Sequence, residues 1–341
     1  MKKIFLIGLT AAAMLASCSN DETVEMAQQK AISFSNAFVN NGTRSVDDPS
    51  FTTESLSDFA VYGFTQKGQI FDGVKVSKGG TAWSYDNVQY WVPGNTYTFG
   101  AIAPHSVAGN VSNVTLPTGA TKVEMEVAFT NKDADQVDLL HAAPAQITGV
   151  TASYTAPVSM TFNHQLSKVK FSFQNSVGEG YNVKVSNVKI TDAFKEGTLT
   201  VAATGNTWGN QTDKTLELNF GNVVANASST EASAIAYAAT LESYNEKLMI
   251  PMGSSAKYTV TFTAELFKDN VPLGTYNHTV EIKNVEFKLG YCYNFKASLT
   301  HENITGPDEL NPIVFDVKKV EDWNQAESNK DLNVPKTQSG I

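Results

Sequence analysis

The chain has 341 residues, enough for one large domain or two of ordinary size. Hydrophobic residues make up 42% of it and charged residues only 17%, and the remainder is rich in the Thr, Ser, Asn and Gly of strand faces and turns rather than of helix surfaces. The net charge of −9, without any basic stripe, excludes a nucleic-acid backbone as partner, because nothing is there to neutralise phosphates.

In chain order, Lys2 and Lys3 precede an apolar run from Ile4 to Leu15, too short to span a bilayer and of the length of a secretory signal. Leu15-Ala16-Ser17-Cys18 then matches the pattern at which bacterial lipoproteins are cut and acylated. Residues 1–17 are therefore expected to leave as a signal peptide. Lipid on Cys18 would hold the chain to a membrane at roughly 0.8 kcal/mol per buried CH₂. With Cys18 acylated, Cys292 has no partner for an intrachain disulfide, and its strand-like setting (Tyr291 to Phe295) suggests a small inert residue.

Asp21 to Lys30 reads as a polar tether. Ala31 to Val39 alternates, with Ile32, Phe34 and Phe38 on one face, and predicts a strand with a single buried side. Asn40 to Ser50 holds Gly42, Arg44, Asp47, Asp48 and Pro49, which together resist regular structure. Further strands are expected at Phe59 to Phe64, Phe71 to Val76, Tyr97 to Ile102 and Val123 to Phe129. Asn131 to Ala143 is the one helical candidate of the first half. Alternation resumes over Val158 to Phe162 and Val169 to Phe173. A phase slip at Ser186-Asn187, inside Val183 to Ile190, has the form of a β-bulge. The remaining strands are expected at Leu216 to Phe220, Tyr258 to Leu266, Tyr276 to Ile282, Tyr291 to Leu299 and Ile313 to Val317. Short strands separated by turn signals predict an all-β chain of sandwiches. Trp91-Val92-Pro93-Gly94 before Tyr97 and Met249-Ile250-Pro251 before Tyr258 suggest two units of similar plan, with a boundary between Pro157 and Phe173.

No motif for nucleotide, metal or nucleophilic chemistry is present, so neither a cofactor nor a catalytic residue is expected. Asp133, Asp135 and Asp138 form the densest acidic cluster. Without the glycine and glutamate of a calcium loop they read better as a helix start. No pair among the 34 acids stands out as a glycosidase pair. Trp83, Tyr85, Tyr90 and Trp91 suit either sugar stacking or a core.

Five segments resemble the fimbrillin family of Bacteroidetes, the FimA/Mfa-type pilins. These are LASC (Leu15 to Cys18), QYWVPGNTYTFGAIAP (Gln89 to Pro104), DLLHA (Asp138 to Ala142), PVSMTFNHQLSKVKF (Pro157 to Phe171) and PIVFDVKKVEDW (Pro312 to Trp323). The resemblance implies two transthyretin-like β-sandwiches in tandem, spanning 45–165 and 166–323. They would follow a lipidated segment, 18–44, and precede a polar tail, 324–341. It implies a surface-exposed lipoprotein precursor of the outer membrane, cut by an arginine-specific protease after Arg44 so that Ser45 becomes the new N-terminus. A neighbouring subunit would then fill the vacated groove with a strand of its C-terminal region, for which Ile313, Phe315 and Val317 alternate suitably. Alternation fits an ordinary last strand equally well. The implied partners are other fimbrial subunits, the protease and a surface ligand. The alternative is a surface adhesin or glycan-binding lipoprotein that never polymerises.

Overall fold

The computed structural model describes residues 30–39, 56–80, 82–226, 228–252, 257–306 and 312–322, with backbone alone at 36–39 and 318–322. The first half of the chain supplies β1 (Phe34–Val39), β2 (Asp58–Thr65), β3 (Gly68–Gly79), β4 (Ala82–Ser84), β5 (Tyr97–Ala103), β6 (Val111–Thr115), β7 (Glu124–Thr130), β8 (Leu140–Ala142) and β9 (Val158–His164). Next come β10 (Ser167–Asn175), β11 (Tyr181–Ala193), β12 (Glu196–Ala202), β13 (Gly205–Thr212), β14 (Leu216–Gly221), β15 (Thr240–Glu242) and β16 (Lys247–Met249). The last are β17 (Lys257–Lys268), β18 (Val271–Lys283), β19 (Tyr291–Leu299) and β20 (Phe315–Asp322). The all-β expectation holds.

Four sheets pack in two pairs. A seven-stranded sheet, β1-β9-β8-β5-β2-β3-β4, curls until β1 approaches β4. Its concave face encloses one core, with Phe59, Val61, Phe71, Phe99 and Phe162 inside. The alternate residues Ala60, Tyr62 and Ile102 face outward and meet Val123, Met125, Val127 and Phe129 of a second sheet, β13-β12-β7-β6. Period-two alternation thus lets β2 and β5 serve two cores at once. The other pair, β14-β11-β17-β18 against the sheet of β15, β16, β10, β19 and β20, encloses a third core. The predicted bulge is present: the β11–β17 register shifts between Ser186 and Lys189, with Asn187 at φ 55°.

Three expectations need correction. First, Asn131 to Ala143 is not helical but extended, ending in β8. Leu139 fills the second core and Leu140 the first, which only a strand lying between two cores permits. The polar residues before them bond across the molecule instead of along a helix. Asn131 Nδ2 donates to the Leu248 carbonyl at 2.8 Å, and Gln136 exchanges bonds with the Leu248 backbone at 2.8 and 2.9 Å.

Second, the hairpin β12–β13 lies inside 166–323, yet β12 pairs antiparallel with β7 and completes the sheet over the first unit. Leu199 and Val201 enter the second core, and Trp208 meets Phe129 edge-on at 5.9 Å. The exposed flank of β7 would otherwise leave that core uncovered.

Third, the repeated corner is not at Tyr258. Its counterpart to Trp91–Ala101 is Phe287–Ala297, which shares the pattern aromatic-x-x-Gly-x-x-Tyr-x-Phe-x-Ala. The backbone N–H of Val92 donates to the Tyr97 hydroxyl at 2.7 Å, and that of Lys288 to Tyr293 at 2.7 Å, each five residues upstream. Tyr97 stacks on Phe99 at 6.2 Å and Tyr293 on Phe295 at 6.4 Å. Gly94 and Gly290 turn the chain at φ 79° and 73°, a conformation that costs glycine little. The Tyr258 hydroxyl has no such partner among the described residues.

Candidate functional site

The joint between the two sheet pairs is written in Pro157 to Phe171. Val158, Met160 and Phe162 fill the first core, Leu166 the second, and Val169 and Phe171 the third. The polar members between them are also buried: His164 Nδ1 lies 2.7 Å from Asp138, and Lys168 Nζ 2.8 Å from Glu246. Gln165 accepts from Trp208 Nε1 at its carbonyl (2.6 Å) and from Asn206 at its side chain (2.8 Å). Asn206 also contacts His141 Nδ1 at 3.1 Å. Burial, reinforced by Lys122, lowers the His141 pKa to about 4, so the ring is neutral above that pH. These groups are buried or half-buried and bonded to one another, and they hold the joint together.

The acidic cluster is consumed in the same way. Asp133 pairs with Lys247 at 3.0 Å and accepts from the Asn219 N–H at 2.6 Å, while Asp138 faces His164. Among the described residues no group of three or more acidic, His or Cys side chains forms a metal site. His278 is buried and stacks on Phe262 at 5.1 Å. Cys292 is half-buried beside the second core and forms no disulfide among the described residues. Of the four aromatics suited to a sugar platform, Trp91 is buried, Trp83 and Tyr85 pack against the first core, and only Tyr90 stands exposed.

What remains is the first strand. β1 runs parallel to β9, with Phe34 opposite Val158 and Ser35 opposite Ser159. On its other side the N–H of Ile32 donates to the Gln89 carbonyl at 2.8 Å, and the N–H of Trp91 to the Lys30 carbonyl at 2.9 Å. The segment from Lys30 to Val39 therefore closes the gap left by the curled sheet, bonded on both flanks. Ile32 is 1% exposed and Phe34 4%. The Phe34 ring stands edge-on inside a cage of Phe59, Phe71, Tyr85 and Phe99, at centroid distances of 5.9, 5.8, 5.5 and 6.1 Å. The Tyr85 hydroxyl donates to the Ile32 carbonyl at 2.7 Å. Burial of Ile32 and Phe34 contributes about 1.5–3 kcal/mol each, and each edge contact roughly 0.5–1.5 more. Together these rival the net stability of a typical domain, about 5–15 kcal/mol.

The structure thus brings Ile32 and Phe34 to the buried face expected of them. The caging rings were not singled out from sequence as a site; the alternation of Phe59, Phe71 and Phe99 marks them as core but not as neighbours. Phe38 has only its backbone described, opposite Thr161. Cys18, Arg44, Ser45, residues 1–17, Trp323 and the tail 324–341 lie outside the described residues. β20 lies at the edge of its sheet, antiparallel to β19. Ile313, just before it, is 3% exposed, and Phe315 meets Phe171, Phe173 and Phe262 at 5.2, 5.7 and 6.2 Å. Val317 is half-buried against the same core. In this structure the candidate donor is the last strand of its own chain's third core.

A profile described as fimbrillin-like matches residues 43–323. Among solved structures, a fimbrial protein from Bacteroides vulgatus shares 15% identity at a TM-score of 0.62, covering 86% of this chain and 99% of its own. The fimbrial anchor protein Mfa2 from Porphyromonas gingivalis shares 10% identity at a TM-score of 0.35, covering 86% and 98%. No curated protein sequence matches the chain.

Proposed function

The chain belongs to the fimbrillin-like family, and on that premise we propose that it is a stalk or tip subunit of a cell-surface fimbria, assembled by strand exchange. It is a structural, fimbrial or adhesion-related protein of the cell surface rather than an enzyme. In the finer reading, the precursor reaches the outer-membrane surface anchored through Cys18. An arginine-specific protease cuts after Arg44. β1 departs, and a strand from the C-terminal region of a neighbouring subunit occupies the groove.

The observation that carries this is the construction of the first strand segment, Lys30 to Val39, which ends in β1. It is one short segment, bonded on both flanks and anchored by two fully buried side chains, and Arg44 follows it by only a few residues. Its removal would expose an apolar trench lined by unpaired backbone on both walls, a template for β-augmentation. The family profile also begins at residue 43, past β1. The non-polymerising adhesin finds less support, since three of the four candidate stacking aromatics serve the core.

The test is to treat purified precursor with an arginine-specific protease. The reading expects a single new N-terminus at Ser45 and oligomer ladders that resist SDS. A cut product that stays monomeric would refute it.

A further inference from the structure

Two stretches of the chain carry the same short pattern: Ala31-Ile32-Ser33-Phe34-Ser35 in the first strand segment and Pro312-Ile313-Val314-Phe315-Asp316 entering the last. In both, isoleucine and phenylalanine point inward while their neighbours face out: Ile32 and Ile313 are 1% and 3% exposed, and Ser33 and Val314 stand in solvent. The geometry points to a specific register and direction for exchange. Ile313 of a second copy takes the place of Ile32, its Phe315 enters the aromatic cage left by Phe34, and the strand runs parallel to β9 as β1 does. This inference rests on the strand-exchange reading above and specifies its binding site.

The backbone supports that alignment independently. Along the groove wall formed by Gln89 to Trp91, the bonds to the first segment are made by the Ile32 N–H and the Lys30 carbonyl, one on each side of Ala31. A proline, which has no N–H to donate, is therefore accommodated at the position of Ala31, and Pro312 falls there. On the β9 wall the Val158 N–H donates to the Ser33 carbonyl at 2.8 Å, a role that passes to Val314. The order of the pattern sets direction. In a strand running antiparallel to β9 with Phe315 in the cage, Val317 rather than Ile313 would meet the Ile32 site.

Cysteine cross-linking reads the register directly. Ser35 lies opposite Ser159, so in the assembled protein Asp316 of one copy lies opposite Ser159 of the next. In full chain carrying Cys292→Ser and cut after Arg44, Ser159→Cys is combined with Asp316→Cys or with Val314→Cys. All three positions used for cross-linking are exposed, so neither pair disturbs a core, and the bridge needs only the Cα spacing of adjacent strands. Oxidation is expected to give at least tenfold more cross-linked oligomer with Asp316→Cys than with Val314→Cys. Dominance of the Val314→Cys product means a reversed strand, and SDS-resistant ladders that neither pair cross-links mean a different donor. Either result overturns this register while leaving strand exchange standing. Absence of ladders in every variant overturns both.

Discussion

The Tyr85 hydroxyl donates to the carbonyl of Ile32 at 2.7 Å, tying the turn after β4 to the first strand across 53 residues of sequence. The same oxygen accepts from the Gln89 N–H at 3.2 Å. Tyr85→Phe keeps the ring in the cage and removes the clamp, so the uncut precursor is expected to lose about 1 kcal/mol. Phe34→Ala empties the cage and costs about 3–5 kcal/mol. Urea melts of precursor check both. In protein already cut and freed of β1, Phe34→Ala no longer exists, and Tyr85→Phe should matter less.

Gly63 makes the cage possible. A Cβ there would stand 2.9 Å from both Phe71 Cδ2 and Phe99 Cδ1, and both rings are buried in the first core. Gly63→Ala is expected to destabilise by about 1–3 kcal/mol through overpacking. It should also weaken occupancy of the groove by any strand. An unchanged thermal midpoint would mean that the rings yield freely.

The hairpin β12–β13 predicts how the chain divides. A fragment of residues 45–165 lacks the strands that cover β7, leaving Val127 and Phe129 exposed. Expressed alone, it is expected to aggregate or to show the dye binding and weak near-ultraviolet signal of a loosely packed state. Sharp, cooperative melting of that fragment would contradict the shared core.

His141 gives stability a pH dependence of defined sign. Burial first, and Lys122 second, lower its folded pKa from 6.5 to about 4. Between those values the unfolded chain binds a proton that the folded one refuses. Stability is therefore full above pH 6.5 and falls as pH drops toward 4, by roughly 3 kcal/mol in all. His141→Gln should flatten that part of the profile relative to the parent, measured as the urea midpoint between pH 7.5 and 4.5. Parallel profiles would contradict the assignment.

The strands were legible because alternation is a local signal: Val123 to Phe129 and Val183 to Ile190 fold as their patterns require, bulge included. Asn131 to Ala143 misled because carboxylates ahead of two leucines resemble a helix start. What decides against a helix is Leu248, more than a hundred residues away, whose backbone captures Asn131 and Gln136. The hairpin at 196–212 carries a short alternation, Thr198 to Val201, that says nothing about which sheet it joins. The cage was illegible for a related reason. Its rings come from β2, β3, β5 and the turn after β4, and only the curl of the sheet gathers them around Phe34. In contrast, Pro157 to Phe171 stood out by its resemblance to the fimbrillin family, and its apolar residues, on β9, β10 and the link between them, enter all three cores.

The most direct measurement is the N-terminal residue, by mass spectrometry, of the SDS-resistant polymer taken from the surface of the bacterium that makes this protein. The account predicts chains that begin at Ser45 and yield no peptide from Ala31 to Val39. Polymer whose chains begin at an acylated Cys18, with that first strand still attached, would contradict it.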